Sequence, residues 1–271
     1  MIDPSTCTDD TSVGQATREL LRGVVRLSTL HLARPHATGS GSLSFAILDA
    51  IPSSATRLEL EGSPINTNGL RHLLRSHPSI RTLDLTRTGI IESVDSDKEE
   101  DLRFPPTLEA LHLPDGSFFS AAYLISLDLS HLASLSLTSP LRYVGTQRSL
   151  YNFGSRPMSM AQVTSTLIAL LDKTPELVRL QVDLGYFCAS FDHTVPPVTI
   201  LKHLPNKIRS LSVNGSHFFT SLDHLRFLSS PARSSRLMTL GLPLGDRDDW
   251  NETVLDLCRD RAIEVTFHDW K

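Results

Sequence analysis

From Pro106 to Leu113 the chain reads Pro-Thr-Leu-Glu-Ala-Leu-His-Leu. Leu108, Leu111 and Leu113 set out the pattern Leu-x-x-Leu-x-Leu. Successive side chains of a strand point to opposite faces, so Leu111 and Leu113 share a buried side while His112 points away from it. Pro106 ends whatever helix comes before, because its ring keeps the preceding residue out of the helical region. This short stretch therefore predicts a strand with one buried face, entered from a helix.

The pattern recurs along the chain. It appears as Leu27, Leu30, Leu32, then Ala55, Leu58, Leu60, then Ile80, Leu83, Leu85. After Leu113 it continues as Leu132, Leu135, Leu137, then Leu177, Leu180, Val182, then Ile208, Leu211, Val213, then Leu237, Leu240, Leu242. A shortened copy closes the series at Ile263, Val265, Phe267. The last apolar positions are 28, 25, 28, 24, 45, 31, 29 and 25 residues apart. All but the 45 lie near the period of a leucine-rich repeat. Two further features keep the same phase. Ile65, Ile90, Phe118 and Phe218 stand five positions after a last strand residue. Pro52, Pro78, Pro106, Pro175 and Pro205 stand two to three positions before a first one.

Helical patterns fill the intervals at roughly 12–22, 43–50, 67–76, 159–172, 221–229 and 249–260, with Asp249 and Glu252 resembling a capping box. A lone strand–helix unit cannot bury both apolar faces, whereas stacked units bury a continuous core. The predicted architecture is an α/β leucine-rich-repeat solenoid of about eight to nine irregular repeats. It has a parallel sheet on its concave face and helices on its convex face. Residues 1–23 form an N-terminal cap, and residues 24–271 the repeat domain, with loop insertions near 92–103 and 140–158. Hydroxyls at Ser63, Thr88 and Ser216 stand where such repeats satisfy turn backbone. Trp250 and Trp270 are placed to close the far end, which predicts a monomer.

Composition narrows the class. The chain has 271 residues, 40% hydrophobic and 21% charged, with 6% aromatic, so its core is aliphatic. A net charge of -4 argues against a general electrostatic grip on nucleic acid or anionic lipid. Cys7, Cys188 and Cys258 are odd in number and widely spaced, which indicates neither a disulfide framework nor a zinc cluster; Cys258 is expected in the core. The N-terminal residues have neither a basic start nor an apolar run, and no stretch approaches the length of a membrane span. The expected setting is intracellular, cytoplasmic or nuclear. The expected cofactor and metal content is none.

The chain resembles the leucine-rich-repeat region of fungal F-box proteins. The likeness is carried by Phe104-Pro-Pro-Thr-Leu-Glu-Ala-Leu-His-Leu113, Thr174-Pro-Glu-Leu-Val-Arg-Leu-Gln-Val182 and Cys258-Arg-Asp-Arg-Ala-Ile-Glu-Val-Thr-Phe267. It covers about residues 20–270, and no F-box matches ahead of the repeats. The resemblance implies a substrate-recognition module of the kind that serves ubiquitin ligases.

Middle residues of each Leu-x-Leu face the hollow of the horseshoe. In order they are His31, Glu59, Asp84, His112, Ser136, Gln181, Ser212, Gly241 and Thr266. Arg57 and Arg179 stand in the row before, and Glu61, Asp183 and Asn214 in the row after. The N-terminal half is charged and histidine-bearing, and the C-terminal half is small and hydroxyl-rich. The eight residues His31, Arg57, Glu59, Glu61, Asp84, His112, Arg179 and Gln181 form the first candidate site, a polar stripe for a basic or mixed protein partner. An ordinary solvated sheet face is the other reading. His31 and His112 are three strands apart, about 14 Å, which is too far for one metal.

The 45-residue step supplies a second candidate. There Arg142, Arg148 and Arg156 alternate with Tyr143, Tyr151 and Phe153, and these residue types anchor interfaces. A plain loop or a degenerate repeat is the alternative. Glu92 to Asp101 is acidic but lacks the glycine and closing glutamate of a calcium loop, so it reads as a solvated loop. No Gly-x-Ser-x-Gly or comparable catalytic arrangement stands out, and we expect no enzymatic activity. His72, His77, His203 and His224 are expected at the surface. The function predicted is a protein–protein interaction scaffold. The alternatives are a Ran-type GTPase activator and a degenerate repeat protein without a retained partner.

Overall fold

The computed structural model describes residues 12–24, 26–33, 45–61, 65–88, 90–91, 104–113, 129–137, 160–183, 201–214, 227–230, 234–243 and 252–268. Nine parallel strands among them form one sheet. They are β1 (Thr29–Ala33), β2 (Arg57–Glu61), β4 (Thr82–Arg87), β6 (Ala110–Leu113), β7 (Ser134–Leu137), β8 (Arg179–Asp183), β9 (Ser210–Asn214), β10 (Thr239–Pro243) and β11 (Glu264–His268). Their order in space follows their order in the chain. Two short strands, β3 (Ile65–Asn66) and β5 (Ile90–Ile91), pair in a second sheet that links the outgoing turns of two repeats.

Register follows the repeat pattern throughout. Leu58 pairs with Leu83, Leu83 with Leu111, Leu111 with Leu135, Leu135 with Leu180, Leu180 with Leu211, and Leu211 with Leu240. A slip of one residue would turn the leucines to the bare face, so burial holds this alignment. The 45-residue step places no strand between β7 and β8, which pair directly. The main described helices are α1 (Ser12–Gly23), α2 (Phe45–Leu48), α3 (Thr67–Ser76), α4 (Met160–Asp172) and α5 (Glu252–Asp260). Leu70, Leu73 and Leu74 of α3 and Leu167, Leu170 and Leu171 of α4 join the strand leucines in one core cluster. The described helices thus pack on one face of the sheet, and among the described residues the other face is bare. The molecule is an α/β leucine-rich-repeat solenoid.

Seven returns to a strand close with the same bond. The first apolar residue donates its amide to the carbonyl three residues earlier: Ala55 to Pro52, Ile80 to His77, Leu108 to Pro105, Leu132 to Leu129, Leu177 to Thr174, Ile208 to Pro205 and Leu237 to Ser234. Proline suits that place because it lacks an amide proton and keeps its carbonyl. In three repeats a polar side chain stands there instead. Thr174 donates to the Leu170 and Leu171 carbonyls, and Ser234 to those of Leu228 and Ser230. His77, expected at the surface, is 3% exposed. Its Nε2 lies 2.9 Å from the Ile51 carbonyl oxygen, joining two repeats inside the core.

Further hydroxyls tie repeats together. Ser79 donates to the carbonyls of Ser53 and Ala55, and Thr107 to those of Pro78 and Ile80. Thr88, buried, donates to the Leu60 carbonyl and so fills the turn role expected of it. Asn66 caps α3 by accepting the Gly69 amide at 2.6 Å. Cys258 is fully buried in α5, where burial pushes its thiol pKa up.

Candidate functional site: the bare face of the sheet

Alternation puts His31, Glu59, Asp84, His112, Ser136, Gln181, Ser212, Gly241 and Thr266 in one row across the nine strands, each in register with its neighbours. A second row runs from Thr29 through Arg57, Thr82, Ala110, Ser134, Arg179, Ser210 and Thr239 to Glu264. All eight residues of the first candidate site therefore stand on this face. They fall into two groups that behave differently.

In the N-terminal group every described charge is met by another. Arg57 donates to Glu59 through Nε at 2.7 Å. His31, in register with Glu59, instead reaches Glu61, with Nε2 3.1 Å from Oε2. Glu59 is already engaged, so the imidazole takes the next carboxylate on the same side of β2. Asp84 meets His112 across one strand gap at 3.2 Å. Its other oxygen accepts both the Thr86 amide and the Thr86 hydroxyl. That capture coincides with a bulge in β4: Glu59 pairs with Asp84, but Glu61 pairs with Arg87. A side chain that takes an amide two residues on competes with the ladder and frees one residue from it.

The C-terminal group is unlike this. Arg179 is exposed, and among the described residues it makes no ion pair and no side-chain hydrogen bond. Gln181, two positions on, likewise has no side-chain partner. Serines flank both: Ser134 and Ser210 beside Arg179, Ser136 and Ser212 beside Gln181. Ser212 is 8% exposed and its hydroxyl has no hydrogen-bond partner among the described residues. Sequence reading weighted the charged half. The unengaged half could have been found only by knowing which charges already satisfy one another.

Arg142, Tyr143, Arg148, Tyr151, Phe153 and Arg156 lie outside the described residues, as do Trp250, Trp270 and the acidic segment 92–103. Among the described residues, no group of three or more His, Cys, Asp or Glu side chains is placed to hold a metal, and no helix is long and apolar enough to cross a membrane.

No protein family's sequence profile matches the chain, and no curated protein sequence does. Solved structures do resemble it. A protein from Bacteroides fragilis aligns over 89% of this chain and 65% of its own, with TM-score 0.54 at 11% identity. The leucine-rich repeat-containing protein LegL7 from Legionella pneumophila aligns over 93% and 87%, with TM-score 0.46 at 14% identity. The tropomodulin C-terminal domain from Caenorhabditis elegans aligns over 70% and 90%, with TM-score 0.33 at 13% identity. The Bacteroides likeness agrees with the fold. Identities this low carry nothing about activity.

Proposed function

We propose that this chain is a protein-interaction scaffold that holds a partner against the bare face of its sheet. The observation that supports it is a row of polar side chains in register across the nine-stranded sheet, interrupted at Gly241, with the described helices packed on the opposite face. Polar side chains on a rigid sheet are held in place before a partner arrives, which lowers the ordering cost of binding. Glu59 and Asp84, half-buried acids on β2 and β4, favour a basic or mixed segment over the N-terminal half. The scaffold works as a monomer with a protein partner, without cofactor, nucleic acid or membrane. The loop bearing Tyr143 and Arg156 is a second contact in this reading.

An affinity capture with quantitative mass spectrometry tests it. The bait is the whole chain beside a Glu59→Lys/Asp84→Lys variant of unchanged circular dichroism. Partners lost only from the variant support the concave site. The same partners on both baits would refute it. The finer form, a substrate receptor related to fungal F-box proteins, rests on sequence resemblance. It predicts co-purification of a cullin adaptor under gentle lysis, and absence of the adaptor would remove that form alone.

A further inference from the structure

The two halves of the bare face differ in a way that points to the chemistry of the partner. From β7 to β10 the first two rows contain no acid: Ser134, Arg179, Ser210 and Thr239 in one, Ser136, Gln181, Ser212 and Gly241 in the other. Sequence places the nearest acid, Asp183, two positions beyond Gln181 in the third row. Arg179 is the one cation of these two rows that forms no ion pair among the described residues; Arg57, the other, is held by Glu59. An arginine left open amid serines is a donor fork without an acceptor.

Ser212 is the independent sign. Its neighbours in the chain, Leu211 and Val213, face the core at 1% and 4% exposure, so alternation turns Ser212 to the bare face. There its hydroxyl is shielded from water and, among the described residues, bonded to nothing, so a rotation about its Cα–Cβ bond is what would present it to a partner. Buried polar groups in folded proteins almost always have partners, and the exceptions ask for an explanation. The register sets Gln181 beside it on β8 and Gly241, without a side chain, beside it on β10.

We infer that Arg179, Gln181 and Ser212 form a receptor for one carboxylate side chain of the partner protein, in an extended segment laid across the strands. This rests on the scaffold reading above and adds the partner's chemistry. Arg179 supplies the paired N–H donors that fit a carboxylate, Gln181 an amide donor, and Ser212 a hydroxyl whose hydrogen bond is at present unmade. A single cation matches the single charge of Asp or Glu and leaves a phosphate dianion half-compensated. Although Glu59 and Asp84 are engaged, the acids Glu59, Glu61 and Asp84 outnumber the arginines Arg57 and Arg87 on β2 and β4, and that acidic excess favours a basic residue on the same segment. Asp84 on β4 and Arg179 on β8 are three strand steps apart, about 14 Å, or four to five residues of extended chain. The partner segment therefore carries a basic residue and, four to five positions away, an acidic one.

A displayed library of random peptides, about twelve residues long, selected on the whole chain supplies the probes. Fluorescence anisotropy of the selected peptides supplies the affinities. Enriched peptides should show the basic–acidic spacing. Arg179→Ala should weaken them about tenfold or more, as expected for one charge-assisted contact. Replacing the peptide acid by alanine should cost the same, with little further loss when both changes are combined. Arg179→Glu should select a basic residue at that place. Arg179 is exposed, so these changes leave folding intact. Unchanged affinity with Arg179→Ala would overturn the receptor. If Glu59→Lys/Asp84→Lys still abolished binding, the scaffold reading would survive that result. Indifference to both variants, or no enrichment over the bare matrix, would sink both. Tighter binding when phosphoserine replaces the peptide acid would replace the carboxylate with a phosphate.

Discussion

Asp84 on β4 and His112 on β6 occupy partner positions in neighbouring parallel strands, and Asp84 Oδ2 lies 3.2 Å from His112 Nδ1. Burial pushes the Asp84 carboxyl up. Hydrogen bonds from His112, from the Thr86 hydroxyl and from the Thr86 amide, with the charge of His112 beside it, outweigh that and hold it at about 2, below the ordinary 3.8.

The sign of the consequence is fixed. A carboxyl with a depressed folded-state pKa contributes stability above its unfolded value, and the contribution fades as pH falls from about 4 to about 2. The shift corresponds to about 1–2 kcal/mol once partial exposure is discounted. Asp84→Asn should therefore cost about that much near neutrality and nothing near pH 2. Urea unfolding of both proteins at a series of pH values checks it, and a deficit independent of pH would count against the account.

His77 should matter far more than its surface counterpart. His77→Ala removes a buried ring and leaves the Ile51 carbonyl without a partner, for a loss of about 2–4 kcal/mol. His203 pairs with Asp172 in solvent, and His203→Ala should stay within about 0.5 kcal/mol. Denaturation midpoints compare the two, and equal effects would contradict the role of His77 in joining two repeats.

A small apolar gap lies beneath β7 to β9, lined by Leu135, Leu167, Leu170, Leu180, Val182 and Val213, with Leu171. Val182 and Val213 are the two valines in a column otherwise mostly leucine. Val182→Ile adds one methylene beside that gap and should stabilise by up to about 0.8 kcal/mol. Leu180→Ala should cost about 2–5 kcal/mol. A destabilised Val182→Ile protein would mean that the walls are already packed against that side chain.

Ala262, between α5 and β11, holds φ at 54°, in the left-handed region where a Cβ is unfavourable. The position terminates the helix, with the Ile263 amide reaching back to the Cys258 carbonyl at 2.8 Å. Ala262→Gly should raise stability by about 0.5–1 kcal/mol. Thermal unfolding reads the change, and a lowered midpoint would show that strain relief is outweighed by the entropy of the unfolded glycine.

Much of the fold was legible from the leucine pattern. All the repeats named from sequence contribute a strand to the main sheet, in the register their leucines imply, because a shifted strand would expose its core side. The helix expected at 67–76 is α3, and the one expected at 159–172 is α4 within a residue. The eight concave candidates were equally legible, since period-two alternation assigns a face without coordinates. His77 was missed because nothing in His-Pro-Ser-Ile distinguishes a core imidazole from a surface one. The loop from Arg142 to Arg156 lies outside the described residues.

The sequence by itself determined which residues form the core, which face is polar, and the order of strands, because burial of apolar side chains at a fixed period leaves one consistent alignment. Only the tertiary structure decided which polar groups satisfy one another. Arg57, two positions from Glu59 on β2, and His31, in register with Glu59 on β1, both stand beside that carboxylate; Arg57 takes it and His31 reaches Glu61, an outcome that depends on distances of a few ångströms. The same geometry settled the N-terminal charges among themselves and left Arg179, Gln181 and the buried Ser212 hydroxyl unengaged among the described residues.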